Sequence, residues 1–192
     1  MDDEAAKGVH VADARVRNVS YLFASSGKVL SRSAKVNLTD GVESMLGLSR
    51  ARLEDVSATI TPLGRVATLI CYDAFFETCL ERADASGAQI LVQPSANAQI
   101  WDGPWSADAS RIEGHEWLAR GLPSRLQGRV NLRYGINPML TGNLFDLRFE
   151  GKSHISANQS LTGHDSSILE IAARADGFAI VNARVDAIQS ER

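Results

Sequence analysis

The residue of this sequence best placed for chemistry is Cys71. It follows an apolar, β-branched run from Val66 to Ile70 that is typical of a buried strand, and a helical segment is predicted from about Phe75 to Ala85. A thiol at such a turn can act as a nucleophile, because backbone N–H groups there can bind an oxyanion. The alternative is that Cys71 is a small buried apolar side chain, as most free cysteines are.

A lysine and a glutamate upstream could assist that thiol. Lys35 precedes a short apolar alternation, and Glu43 lies beyond a Thr-Asp-Gly turn signal. The pKa of a free thiol is about 8.5, so a nearby cation favours the reactive thiolate and can also stabilise an oxyanion. Taken alone, Lys35 and Glu43 are better interpreted as exposed charges whose pairing contributes little.

Five segments in chain order resemble the nitrilase superfamily, the carbon–nitrogen hydrolases that cleave amides and nitriles with glutamate, lysine and cysteine. Lys35 to Leu38 with Glu43 is similar to the family's lysine motif and its second, positioning glutamate. Gly64 to Asp73, which contains Cys71 and Tyr72, is similar to the nucleophile motif. The other three segments are 17–29, 87–95 and 149–153.

The resemblance implies an α/β protein, part of a nitrilase-like four-layer α-β-β-α sandwich, in which residues 1–192 form one N-terminally truncated domain. It implies hydrolysis of a small amide, or of a nitrile or carbamoyl substrate, through a thioester on Cys71. Catalytic roles fall to Cys71, Lys35 and Glu43, and the backbone N–H of Tyr72 would be an oxyanion donor. The Cys-Tyr-Asp sequence is more similar to the amidase and carbamoylase branches than to the nitrilase branch.

One member of the family's catalytic set has no clear match. The family carries its general-base glutamate on an N-terminal strand, whereas Glu4 is the sole glutamate before Lys35 and lies in a polar segment with no apolar strand before it. Glu4 is therefore a poor candidate for the base. A truncated, non-catalytic remnant that serves as a binding or assembly subunit remains the alternative to an active hydrolase.

Composition narrows the function classes. The 192 residues carry a net charge of −3, with 44% hydrophobic and 22% charged residues, so neither nucleic-acid nor membrane binding is indicated. Two cysteines are too few for a disulfide framework, and a reducing cytoplasm is the expected compartment. No histidine or cysteine spacing predicts a metal site, and no cofactor is expected. A homo-oligomer is an expectation from the resemblance alone.

The elements that must position these residues can be read from periodicity and turn signals. Strands are predicted over 16–23, from 29, and over 56–63, 65–70, 90–92, 153–156, 167–173 and 179–185, and a helix over 113–122. Segments 57–63 and 65–70 should form a hairpin. Asp176-Gly177 predicts a second hairpin between the last two strands. Cys79 falls on the apolar face of the helix after Cys71 and is expected in the core.

An irregular stretch from Pro94 to Trp105 combines Gly, Pro and Asn with two tryptophans. Loops of this kind often line ligand sites, because aromatic walls supply contact area and polar groups supply orientation. Asn97 and Trp101 are therefore candidate substrate-binding residues. Equally, both tryptophans could pin the loop to the core.

Overall fold

A six-stranded mixed sheet forms the centre of the computed structural model, which describes residues 13–185. Three adjacent strands are parallel, and the other neighbouring strands of the sheet pair in antiparallel orientation. In spatial order these strands are β14 (Ile168–Ile171), β13 (His154–Ala157), β9 (Tyr134–Asn137), β5 (Ile90–Val92), β4 (Gly64–Thr68) and β3 (Thr59–Thr61).

Within residues 13–185, the remaining strands form two-stranded units. Pairing is antiparallel in three of them and parallel between β6 and β10. These strands are β1 (Val19–Phe23) with β2 (Val29–Ala34), β6 (Ser95–Ala96) with β10 (Met139–Leu140), β7 (Pro104–Trp105) with β8 (Asp108–Ile112), and β11 (Gly142–Leu144) with β12 (Leu147–Phe149).

Short helices connect the strands, and the longest of them, at Glu77–Ala85, buries one side. The helices are α1 (Glu77–Ala85), α2 (Glu113–Arg120), α3 (Leu122–Arg125) and α4 (Gln159–Thr162), with 3₁₀ helices at Leu53–Asp55 and Cys71–Phe75. In α1, Cys79, Leu80 and Ala83 are fully buried. They pack in one apolar cluster with residues of β4, β5 and α3, so burial of this face holds α1 on the central sheet.

Most of the predicted elements are confirmed, with shorter bounds. The hairpin over 57–70 is present as β3 and β4, and the turn after β1 closes with Gly27 at a φ of 82°, a conformation that glycine adopts readily. The helix after Cys71 begins at Glu77 rather than Phe75. The reason is that Phe76 is extended, with φ −97° and ψ 123°, and separates the 3₁₀ helix from α1.

Two expectations for the chain's secondary structure are wrong. Residues 179–185 form no strand, and β14 pairs with β13 instead of with a downstream segment. Gly177 does not take the positive φ that a tight two-residue hairpin requires. The Asp176 carboxylate accepts a hydrogen bond from Arg174 Nε at 3.0 Å. The hairpin of β7 and β8 was not predicted, because every residue of β8 is exposed and no apolar alternation marks it.

Candidate functional site

A cavity of about 820 Å³ lies at the carboxyl end of β4. Five of the six predicted site residues line it: Lys35, Glu43, Cys71, Tyr72 and Asn97. We call it the Cys71 cavity. Its other walls include Asn18, Thr39, Phe75, Trp105, Glu113, Trp117, Arg120 and Phe149.

Cys71 is the first residue of the 3₁₀ helix and is partly exposed. Its φ of 50° lies in the left-handed region, which costs a non-glycine residue roughly 1–2 kcal/mol. Two hydrogen bonds maintain this backbone: Cys71 N donates to Pro94 O at 2.9 Å, and Gln93 Nε2 donates to Cys71 O at 2.9 Å. Strained residues held by their surroundings cluster at functional sites, so this turn marks Cys71 independently of its motif.

Lys35 follows β2, and its side chain is only 2% exposed. Its Nζ donates a hydrogen bond to Glu43 Oε2, so these two residues lie side by side. Thr39 N donates to the same oxygen at 2.8 Å, and Asn18 Nδ2 donates to Glu43 Oε1 at 3.0 Å. Burial alone would raise the pKa of Glu43, but these hydrogen bonds outweigh it and hold the pKa below its ordinary value.

Asp73 connects the lysine segment to the cysteine turn. Its buried carboxylate accepts hydrogen bonds from Val36 N at 3.1 Å, from Asn37 N at 2.6 Å and from Ile70 N at 3.3 Å. Burial raises the pKa of Asp73, and these backbone hydrogen bonds oppose the rise without cancelling it. The carboxylate therefore fixes the chain just after Lys35 against the chain just before Cys71. Sequence reasoning quoted Asp73 only as part of the nucleophile motif.

The other predicted residues occupy different positions. Tyr72 is the second residue of the 3₁₀ helix, where a first-turn N–H has no acceptor within the helix. Asn97 is buried, and its Nδ2 donates to Glu150 O at 3.2 Å and to Gln99 O at 3.3 Å. Trp101 is not brought to the Cys71 cavity. It is buried in a second apolar cluster with Met139 and Ala175, as expected if it pins the loop.

Helix α2 supplies a wall that sequence reasoning missed. Glu113, Trp117 and Arg120 line the Cys71 cavity at spacings of four and seven residues, so they share one helix face. Trp105 of β7 lies beside them, with the Arg120 guanidinium carbon 5.2 Å from its ring centroid. The available signal was this spacing on a predicted helix, but it could not indicate what the helix faces.

Residues 13–185 contain no cluster of three or more His, Cys, Asp or Glu side chains able to hold a metal ion. No helix in the same range is long and apolar enough to cross a bilayer.

Comparison with protein families gives one match, to the carbon-nitrogen hydrolase family over residues 5–122, which is more than half of the chain. Comparison with curated proteins gives no match.

Several solved structures share the fold. A carbon-nitrogen hydrolase from Helicobacter pylori G27 matches with a TM-score of 0.72 at 19% identity, covering 89% of this chain and 57% of that one. Nit3 of Saccharomyces cerevisiae, a member of branch 10 of the nitrilase superfamily, matches at 0.63 and 20% identity, over 85% of this chain and 51% of that one. The expected nitrilase-type α/β fold is thereby confirmed.

An amidase from Nesterenkonia sp. AN1, solved as a cysteine-to-alanine mutant in complex with butyramide, has a TM-score of 0.63 at 18% identity. The match covers 87% of this chain and 55% of the amidase. This chain thus spans between half and three fifths of the length of these structural relatives.

Proposed function

This chain belongs to the carbon-nitrogen hydrolase family, and we propose that it hydrolyses the C–N bond of small amides in the Cys71 cavity. The observation that carries the proposal is the meeting of three side chains from separate segments. Lys35, Glu43 and Cys71 line one cavity, with Lys35 hydrogen-bonded to Glu43 and Cys71 on a strained turn. A structural role would require neither the buried ion pair nor the left-handed cysteine at this place.

The proposed reaction has two steps. The Cys71 sulfur attacks the amide carbon, a C–S bond forms and the C–N bond breaks, and the nitrogen leaves as ammonia after taking a proton. Water then attacks the thioester, which releases the carboxylic acid and restores the thiol. Lys35 supplies positive charge toward the developing oxyanion, and the N–H of Tyr72 is a second donor.

Glu43 acts in this scheme by positioning Lys35. Both of its oxygens already accept hydrogen bonds, and its lowered pKa makes it a weak proton acceptor. Glu4, the sole glutamate that precedes Lys35, lies outside the described residues.

The test is ammonia release from a panel of small amides, butyramide among them, by the wild-type chain and by Cys71→Ala. We expect turnover by the wild type and a loss of about 10³-fold or more in the variant, because the nucleophile itself is removed. Cys79→Ala, which changes the buried thiol outside the cavity, should keep the activity of each folded molecule. Absence of turnover in the wild type would instead favour the binding-subunit alternative.

A further inference from the structure

Glu113 is a buried carboxylate of the Cys71 cavity for which the hydrolysis scheme has no role. The residue is 5% exposed, and it lines the cavity at the first turn of α2. Its Oε1 accepts a hydrogen bond from Trp117 Nε1 at 3.0 Å. Its Oε2 is buried and has no hydrogen-bond partner within residues 13–185. A buried acceptor without a hydrogen-bond partner destabilises the fold, and more so when it carries a charge.

The carboxylate is held in place by its neighbours. Glu113 N donates to Gly103 O at 3.0 Å, and Gly114 N donates to Trp101 O at 2.8 Å. Gly114 leaves room for Trp101, since a Cβ at this position would collide with the indole ring. The buried Trp101 and the hydrogen bond from Trp117 thus fix the start of α2 and the orientation of Glu113.

The charges around the cavity leave Glu113 without a counter-charge. Lys35 is hydrogen-bonded to Glu43, so these two charges compensate each other. Arg120 is exposed and stacks over Trp105, where solvent screens its charge. Buried charges interact more strongly than exposed ones and are rarely left unpaired, so the Glu113 carboxylate is suited to pair with a cationic group that enters the cavity.

We propose that Glu113 binds an ammonium group of the substrate, so that the amides taken by this cavity carry a positively charged amine. An ammonium group offers three N–H donors and a full positive charge, which together satisfy Oε2 and compensate the carboxylate. This inference rests on the proposed amide hydrolysis and names the substrate class of the same site.

The experiment measures how well three amides protect Cys71 from alkylation, which needs binding but no turnover. β-Alaninamide, butyramide and succinamate share a three-carbon chain ending in the amide and differ at the other end, which is an ammonium, a methyl or a carboxylate group. The wild-type chain is treated with iodoacetamide at increasing concentrations of each amide, and labelled Cys71 is quantified by mass spectrometry. β-Alaninamide should protect at a concentration about ten-fold lower than butyramide, since hydrogen bonds to charged groups contribute more than neutral ones.

Two variants locate the effect. Glu113→Gln keeps the size and an acceptor for Trp117 but removes the charge, and it should abolish the advantage of β-alaninamide. Glu81→Gln removes an equal charge from the exposed face of α1, outside the cavity, and should keep the advantage.

Equal protection by β-alaninamide and butyramide in the wild type would overturn the ammonium site, whether or not the variants fold. Stronger protection by succinamate would overturn it in favour of Arg120 as the recognition group. If β-alaninamide still protects better than butyramide in folded Glu113→Gln, Glu113 does not bind the ammonium group. If none of the three amides protects Cys71, the proposed amide-binding function itself fails.

Discussion

The two cysteines of this chain lie eight residues apart and have opposite surroundings. Cys71 is the first residue of a 3₁₀ helix, its own φ lies in the left-handed region, and it lines the cavity. Cys79 lies within α1, is fully buried in the main apolar cluster, and its Sγ accepts a hydrogen bond from Asn37 Nδ2 at 3.2 Å. Burial, followed by the nearby negative charge of Asp73, raises the pKa of Cys79 to about 11.

The difference shows that position within an element decides what a thiol can do. A cysteine in the middle of a helix turns its sulfur to whichever face the helix buries, and in α1 that face packs on the sheet. A cysteine at a strand-to-helix turn leaves the sheet where neighbouring strands also end, so polar groups gather around it. Lys35 and Asn97 reach the same cavity from the ends of β2 and β6, which belong to two-stranded units outside the central sheet.

The largest expected effect is in alkylation of the two thiols. At pH 8 a thiol with a pKa of about 11 is ionised in about one molecule in a thousand, and Cys79 is also closed to reagents. We expect iodoacetamide to label Cys71 at least ~100-fold faster than Cys79 in the folded chain, as mapped by mass spectrometry. In a denaturant the two rates should become similar. Faster labelling of Cys79 in the folded chain would break the comparison and remove Cys71 as the nucleophile.

Removal of the buried Lys35 should change the reactivity of Cys71 but not that of Cys79. Lys35→Met leaves Glu43 buried without its cation, which should lower the free energy of unfolding by about 3 kcal/mol or more in chemical denaturation. In the folded fraction, labelling of Cys71 should slow while that of Cys79 stays unchanged. The double variant Lys35→Met/Glu43→Gln should regain part of the stability, because the uncompensated charge is gone.

Lys28→Met is the matched control for this substitution, since Lys28 is exposed in the turn between β1 and β2. It should change the free energy of unfolding by less than about 0.5 kcal/mol. A Lys35→Met variant as stable as this control would contradict the buried ion pair.

The smallest expected effect is the pH dependence of stability that Glu43 and Asp73 cause beside the Cys71 cavity. The folded-state pKa of Glu43 lies below its ordinary value of 4.5, so its stabilising contribution is present above pH 4.5 and is lost as the pH falls through the lowered pKa. The raised pKa of Asp73 acts in the opposite direction and lowers stability as the pH rises through it.

The Glu43 contribution is isolated by measuring unfolding free energies from pH 6 down to acid in the wild type and in Glu43→Gln. The difference between the two should shrink as the pH falls below 4.5. A difference that stays constant with pH would show that the ionised form of Glu43 does not stabilise the folded chain.

The sequence was sufficient for the elements whose patterns are local. The apolar run before Cys71 predicted β4, and the turn signal at Gly64 predicted the hairpin of β3 with β4. It failed at residues 179–185, where an apolar alternation exists but no neighbouring strand pairs with it, and Phe178 and Ile180 remain exposed. Strand formation requires a partner, and a local pattern does not supply one.

The sequence by itself determined the family of this chain, because the lysine and cysteine motifs are local strings of residues. It also determined that Cys79 belongs to the core, since the helical period places it among apolar side chains. Only the tertiary structure decided that Trp101 supports the start of α2 instead of lining the cavity, and that Glu113 enters the site. The physical reason is that these side chains take their roles from contacts between elements distant in sequence, which no local pattern encodes.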